Sequence, residues 1–87
     1  MTAPAPLKFP LDWEFRLIAE SARLPEVRAA AAAAMRRCDP ACRLDVGAAS
    51  AGNRYTALRA VCRVESRESL NRLSAELAAL PGVKMLL

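Results

Sequence analysis

The spacing of apolar residues switches repeatedly between two periods along the chain, and this limits the possible folds more than any other feature. In "DWEFRLIAE" an apolar residue occupies every second position from Trp13 to Ala19, which is typical of a strand covered on one face. The next segment, "ARLPEVRAAAAAAMRRC", contains a run of alanines, the strongest helix formers, and Pro25 suits its first turn. The chain is therefore predicted to begin with a strand and a helix. The predicted apolar stripe of this helix consists of Val27, Ala31, Ala34, Met35 and Cys38.

The second half of the chain contains the same two periods again. "CRLDVGAAS", with Leu44 and Val46 on one face, and "YTALRAVCRVE" both alternate. The turn signal Gly52-Asn53 lies between them, so the two segments predict an antiparallel hairpin. "SRESLNRLSAELAAL" predicts a helix with Ser66 as its N-cap. Its apolar stripe consists of Leu70, Leu73, Leu77 and Leu80.

The tail "VKMLL" alternates after the Pro81-Gly82 break and predicts a short final strand, with Val83, Met85 and Leu87 facing the core. The resulting order, βαββαβ, predicts an α+β fold of the ferredoxin-like type. In this fold a four-stranded antiparallel sheet carries two helices on one face, the first and third strands are central, and the last strand lies at an edge. At 87 residues the chain is long enough for one domain, which we place at residues 9–87 after a flexible lead-in, residues 1–8.

Charge and composition indicate a globular protein of the cytoplasm. The net charge is +4, and its excess of arginine alongside abundant alanine is typical of a GC-rich genome; phosphate binding is the alternative explanation. No segment approaches the ~18 apolar residues of a membrane span, so we expect no membrane partner. The start "MTAPAPLK" lacks the apolar region of a secretory signal.

The three cysteines, Cys38, Cys42 and Cys62, are an odd number and cannot form a complete disulfide set. Because the chain has no histidine, they do not make a zinc site of the usual kind. We expect them to behave as free, buried, small apolar residues. A metal half-site or redox pair at Cys38 and Cys42 remains the alternative.

Catalytic equipment is not evident in the sequence. Without histidine there is no Ser-His-Asp triad, the carboxylates are scattered, and no phosphate-binding loop or dinucleotide-binding motif occurs. We therefore expect a protein that is not an enzyme and that uses no cofactor.

Three segments, "FPLDWEFRLIAE", "SAGNRY" and "ALPGVKMLL", resemble the YbeD-like family of small bacterial proteins, a domain of unknown function. The resemblance implies a ferredoxin-like fold similar to the ACT-type regulatory domains that sense amino acids, and it implies no established activity. ACT-like domains usually bind their effector near a glycine in the loop after the first strand. Here that loop reads "AESARLPE", and Ala19 stands where several family members have glycine.

The sheet face opposite the helices is the main candidate binding surface, for a protein partner or a second copy, in a regulatory or adaptor role. Its predicted residues are Arg16, Ile18, Arg59, Val61, Arg63, Lys84 and Leu86. The alternative is that the arginines only solvate the sheet, paired with Glu14 and Asp45.

Two other binding functions are open. The first is a sensor that holds an amino acid or organic anion at an oligomer seam, with Arg23 as the charged partner and Gly52-Asn53 as a possible anion nest. The second is nucleic-acid binding, since RNA-recognition motifs use this fold and face. That function needs exposed aromatic rings, and we expect Trp13 and Phe15 to face the core, so nucleic acid is the least favoured partner.

Overall fold

Four strands and two helices follow one another as the periodicity predicts. In the computed structural model, which describes residues 7–87, the elements are β1 (Leu11–Glu20), α1 (Leu24–Cys38), β2 (Leu44–Ala49), β3 (Tyr55–Val64), α2 (Arg67–Ala78) and β4 (Val83–Leu86), with short 3₁₀ turns at Ser21–Arg23 and Ala51–Asn53. Most of the predicted flexible lead-in lies outside the described residues. Leu7 and Lys8 precede β1 without regular structure.

The sheet has the order β2-β3-β1-β4, and every neighbouring pair is antiparallel. The central pair is β1 and β3, which are in register from Leu11 opposite Val64 to Glu20 opposite Tyr55. Both helices pack on the same face of the sheet and against each other. This arrangement confirms the predicted ferredoxin-like fold.

The core consists of the alternate residues of β1 and β3 and the predicted stripes of the two helices. Its buried members include Phe15, Leu17, Ala19, Val27, Ala31, Ala34, Met35, Leu58, Val64, Leu70, Leu73 and Leu77. Trp13 is partly buried against this cluster, and the predicted cap of α2 is present, with Ser66 Oγ accepting a hydrogen bond from the Ser69 N–H at 3.1 Å. The alanines of α1 allow its backbone to approach the sheet closely, because they add little side-chain bulk.

A bulge in β4 changes which of its residues face the core. In the pairing with β1, Val83 lies opposite Ala19, whereas Met85 lies opposite Ile18. Two steps along β4 therefore correspond to a single step along β1, and Lys84 is the extra residue of the bulge.

This bulge overturns the predicted faces of the chain end. Leu86 lies opposite the fully buried Leu17 and packs against the core. Met85 is 50% exposed and Leu87 is 61% exposed. The prediction of Leu86 on the open side, with Met85 and Leu87 in the core, was wrong because simple alternation was counted through a strand with one extra residue.

The strand β2 is covered by the helices only at its start. Leu44 is buried, but Val46 is 43% exposed although both residues lie opposite core-facing partners in β3. A second irregularity in register follows between Val46 and Ala49. The expected apolar face of β2 is therefore reduced to one residue.

The cysteines also differ from expectation. Cys42 and Cys62 are joined by a disulfide, with their Cα atoms 5.3 Å apart, so the prediction that they are free thiols was wrong. Both are buried, as expected. The loop before β2 is fastened to β3 by Asp39, whose carboxylate accepts hydrogen bonds from the backbone N–H groups of Ala41 and Arg63 at 3.0 Å each. This contact holds Cys42 beside β3, a proximity that sequence spacing does not reveal.

Candidate functional site

The side of the sheet opposite the helices is not covered by any helix of residues 7–87, and we call it the open face. It is formed by the side chains that alternate with the core residues. Its members are Asp12, Glu14, Arg16, Ile18, Glu20, Asp45, Tyr55, Ala57, Arg59, Val61, Arg63, Met85 and Leu87.

Apolar side chains cross the open face from one strand to the next. Ile18 lies opposite Ala57 of β3 on one side and opposite Met85 of β4 on the other. We call these three residues the apolar row. On the β2 side the row continues into a shallow depression of about 200 Å³, lined by Ile18, Ala57 and the neighbouring residues Ala48, Ala49, Ser50, Tyr55 and Thr56. The row therefore gives the open face an apolar centre.

Charged residues on one side of the apolar row form an ion-pair network around Glu14. Arg16 Nε donates a hydrogen bond to Glu14 Oε1 at 2.7 Å, and Arg59 Nε lies 3.6 Å from the same oxygen. The hydrogen bond from Arg16 is the main reason that the pKa of Glu14 lies below its ordinary value, and the charge of Arg59 acts in the same direction. Further along, Arg63 pairs with Asp12 at 3.7 Å.

The charges of the open face nearly balance. Its arginines are Arg16, Arg59 and Arg63, and its carboxylates are Asp12, Glu14, Glu20 and Asp45. The expected pairing of the arginines with Glu14 is present for Arg16 and Arg59, while Asp45 lies opposite Arg59 in the register without an ion pair in the described part of the chain. The open face is therefore a mixed surface and not the basic surface that the arginines alone indicated.

Three loops meet at the end of the sheet where β1 ends. The Glu20 N–H donates to the Gly82 carbonyl at 2.8 Å, and the Ser21 N–H donates to the Arg54 carbonyl at 2.9 Å. The hydroxyls of Ser21 and Thr56 share a hydrogen bond of 2.7 Å. These contacts join the loop after β1, the β2–β3 hairpin and the loop before β4 into one surface.

That surface contains a wide depression of about 650 Å³, which we call the loop depression. Arg23 and Arg54 both line it, together with the acidic residue Glu20. Its lining residues are Glu20, Ala22, Arg23, Asn53, Arg54 and Tyr55. Arg23 is already engaged with Glu26 at 3.2 Å, so a ligand there would compete with a surface ion pair.

The sequence matches a family model described as "Protein of unknown function (DUF493)" over residues 5–87. This chain belongs to the DUF493, or YbeD-like, family. The match spans nearly the whole chain, and it confirms the resemblance carried by the three sequence segments. No curated protein matches this chain.

Solved structures similar to this DUF493 chain confirm its fold. The solution structure of HP0495 from H. pylori matches with a TM-score of 0.79 at 13% identity, covering 97% of this chain and 88% of that one. A second solution structure of HP0495 from Helicobacter pylori gives 0.66 at 14% identity, with 91% and 87% covered. The C-terminal domain of the MgtC protein from Mycobacterium tuberculosis gives 0.67 at 26% identity, with 93% and 88% covered.

The structure places most, but not all, of the predicted binding residues of this DUF493 chain on the open face. Arg16, Ile18, Arg59, Val61 and Arg63 lie there, whereas Lys84 is the exposed extra residue of the β4 bulge and Leu86 faces the core. Sequence reasoning missed Met85, and of the acidic residues it named only Glu14 and Asp45, as pairing partners of the arginines. Asp12 and Glu20 were missed, although they have the same parity as Arg16, so counting every residue of that parity would have found them.

The predicted anion nest at Gly52-Asn53 is an ordinary hairpin turn. Gly52 has φ 80° and Asn53 has φ 57°, but the Asn53 N–H donates to the Ser50 carbonyl at 2.9 Å. That amide is therefore not free to hold an anion.

A groove of about 300 Å³ between α1 and α2 was not anticipated from the sequence. The Arg37–Glu76 ion pair joins the two helices there, and Cys38 lines one end. Burial raises the pKa of the Cys38 thiol, as do the charges of Asp39 and Glu65, so the protonated, less nucleophilic form is favoured. Within residues 7–87 no three or more metal-ligating side chains come together, and no helix is long and apolar enough to cross a membrane.

Proposed function

We propose that this chain is a non-enzymatic regulatory or adaptor domain that binds a partner protein through its open face. The observation that carries the proposal is the apolar row, which crosses three strands on a sheet face that no helix of the described residues covers. A sheet normally buries one face and presents polar residues on the other. An uncovered face with an apolar centre is typical of an interaction surface.

The exposure of individual side chains supports this proposal. Val61 is 49% exposed, Met85 is 50% exposed and Leu87 is 61% exposed. Covering the remaining apolar area of such a side chain contributes about 25 cal/mol per Å² removed from water. A partner that excludes water from the open face therefore lowers the free energy of the system.

The charges around the apolar row suit recognition more than raw affinity. Arg16 and Arg59 both approach Glu14, which restrains their orientation. Arginine is enriched at protein interfaces, and a rim of charged pairs contributes mainly to specificity and association rate. The DUF493 fold also occurs as the C-terminal part of the MgtC protein, which is consistent with a module that serves other proteins.

The experiment is a pull-down from the source lysate with paired variants. Met85→Arg places a charge on the open face, and Val46→Arg is the matched control because Val46 is similarly exposed but lies on the helix side of the β2 edge. We expect a specific protein to be retained by the wild type and by Val46→Arg and to be lost with Met85→Arg. A wild-type chain that retains no protein and stays monomeric in light scattering would contradict the proposal.

A second candidate is a small-molecule sensor, and the loop depression favours it. Arg23 and Arg54 supply positive charge beside the carboxylate of Glu20, which suits a zwitterion such as an α-amino acid, with its carboxylate at the arginines and its ammonium at Glu20. A ligand at ~100 times its Kd stabilises a protein by about 2.7 kcal/mol. In a thermal-shift screen of amino acids and organic anions, the expected rise in Tm is roughly 10 °C or more for a domain of this size.

The control for the sensor is Arg54→Ala, which should abolish the rise in Tm. Arg54 makes no ion pair with any of residues 7–87, so its loss should leave the basal Tm close to that of the wild type. If no compound raises the Tm at millimolar concentration, this candidate function is wrong.

We also propose a cytoplasmic location, where thiols are kept reduced. The Cys42–Cys62 disulfide counts against this location, because disulfides are rare in reducing compartments, and the redox state of the pair in cells therefore tests the proposal. Cells are quenched in acid to trap the redox state, and the protein is then unfolded and alkylated. Mass spectrometry should show alkylated Cys42 and Cys62. Recovery of the disulfide in the trapped protein would place the chain in an oxidising compartment instead.

A further inference from the structure

We infer that the partner of the open face is a second copy of this chain, in a face-to-face dimer whose two-fold axis runs along the apolar row. The inference rests on the proposed function, because it names the occupant of the same surface. In a two-fold dimer one patch meets itself, so the patch has to be self-complementary. The order of residues along β1 and β3 meets this condition.

The central strand β1 has opposite charges on the two sides of its apolar residue. Along the open face Arg16 precedes Ile18 by two positions and Glu20 follows it by two positions, and both charged side chains are exposed. Rotation about an axis along the apolar row brings Ile18 against Ile18 of the second copy. The same rotation brings Arg16 opposite Glu20 of the second copy, and by symmetry the pair forms twice.

The strand β3 repeats this relation. Arg59 and Tyr55 lie two positions on either side of Ala57 on the open face. The rotation therefore places Arg59 opposite Tyr55 of the second copy, where a guanidinium group can stack on the ring or donate a hydrogen bond to the hydroxyl. Ala57 adds no bulk at the centre, so two sheets can approach to the usual spacing of about 10 Å.

The other simple two-fold arrangement is electrostatically less favourable. An axis parallel to the strands, between β1 and β3, would place Arg16 opposite Arg59 of the second copy, because these residues are direct neighbours in the register. It would also place Asp12 opposite Arg63, so one repulsive and one attractive pair would each occur twice. Like charges that face each other at an interface disfavour the arrangement. The axis along the apolar row sets no like charges of β1 and β3 face to face, so charge complementarity favours it.

The size of the open face suits a weak dimer, because its flat area is smaller than that of a standard interface. The strands lie about 4.8 Å apart; β1 and β3 are each about 33 Å long, β2 about 20 Å and β4 about 13 Å, so together they present a flat area of about 500 Å² before side-chain relief is counted. A standard interface buries about 800 Å² per partner. The whole chain exposes 5874 Å², so the dimer would cover a modest and reasonable part of it.

A charge-swap experiment tests the axis directly. Wild type, Arg16→Glu, Glu20→Arg and the double variant are compared by sedimentation velocity over a concentration series at low salt. We expect a wild-type dimer and at least a 10-fold rise in Kd for each single variant, because each would set two like-charged pairs face to face. The double variant should dimerise again, and an equal mixture of the two single variants should form a heterodimer in which every pair is attractive.

The matched control is Arg28→Glu, an equal charge reversal at an exposed position of α1 on the helix side. It should leave the dimer unchanged. The heterodimer also serves as the folding control, because two misfolded single variants would not associate specifically when mixed. Circular dichroism spectra that match the wild type complete this check.

The outcomes separate this inference from the proposed function. A wild-type chain that is monomeric at about 100 μM overturns the dimer. The proposed function still stands in that case if the wild type retains another protein in the pull-down and Met85→Arg does not. A wild-type dimer that is insensitive to both single charge reversals overturns the axis proposed here, since the copies then meet elsewhere. Loss of the dimer in both single variants together with recovery in the mixture supports the inference.

Discussion

Gly82 is a position outside the core where one added methyl group should strongly destabilise the fold. Its φ is +90°, a conformation that L-residues rarely adopt, and an added Cβ would lie 2.7 Å from Val27 Cγ2 and 3.2 Å from Arg23 Cβ. The Gly82 carbonyl also accepts the hydrogen bond from Glu20. Gly82→Ala therefore combines backbone strain with a clash against the first turn of α1.

The second positive-φ glycine allows these two effects to be separated. Gly52 has φ +80°, but nothing lies within 4 Å of an added Cβ. Gly52→Ala should therefore cost only the left-handed backbone, about 1–2 kcal/mol. Gly82→Ala should cost that amount plus about 1–3 kcal/mol for overpacking, and the total is a large part of the stability of a domain of this size.

Urea unfolding followed by circular dichroism measures both variants. With an m-value of about 1 kcal/mol/M for a small protein, the midpoint should fall by roughly 1–2 M for Gly52→Ala and by roughly 2–5 M, or to outright unfolding, for Gly82→Ala. If Gly82→Ala were no more destabilising than Gly52→Ala, the loop before β4 would not pack on α1 as described. The three-loop surface that carries the loop depression would then also be incorrect.

Three further predictions address the core, the ion-pair network and the free thiol. Leu77→Ala should cost about 2–5 kcal/mol in urea unfolding, because Leu77 is fully buried, and a near-neutral result would mean that α2 is misplaced. Arg16→Met should raise the pKa of Glu14 in an NMR titration, since the hydrogen bond from Arg16 is what chiefly lowers it. Because that pKa is lowered on folding, the contribution of Glu14 to stability is present above its unfolded pKa and is lost as pH falls through the folded value, and Arg16→Met should weaken this dependence. Cys38 should react with iodoacetamide at pH 8 more slowly than a small model thiol, because its pKa is raised, and a faster reaction would contradict the described burial.

The sequence was sufficient to predict the helices and strands and their order along the chain. The alternation in β1 and β3 and the helical stripes in α1 and α2 each depend on neighbours within a few residues, so local periodicity predicts them. Ser66 as the cap of α2 and the break at Pro81-Gly82 were predicted for the same reason. The ferredoxin-like topology then follows from the order of the elements.

The tertiary structure decided the features that depend on residues far apart in the chain. The disulfide joins Cys42 to Cys62 across a sequence separation of 20, and Asp39 ties the same loop to β3 by accepting a hydrogen bond from the Arg63 N–H. Sequence spacing reveals neither contact. In the same way, Arg23 and Arg54 line one depression only because the fold brings their two loops together.

The sequence alone determined that helices would cover one face of a four-stranded sheet and leave the other face open. The reason is that successive side chains of a strand point to opposite faces, so the apolar alternation identifies the covered face. Only the folded molecule decided what that open side presents. One extra residue at Lys84 exchanges the roles of Met85 and Leu86, since a strand's register is set by its hydrogen-bonded neighbour and not by its own sequence. The apolar row exists because of that bulge.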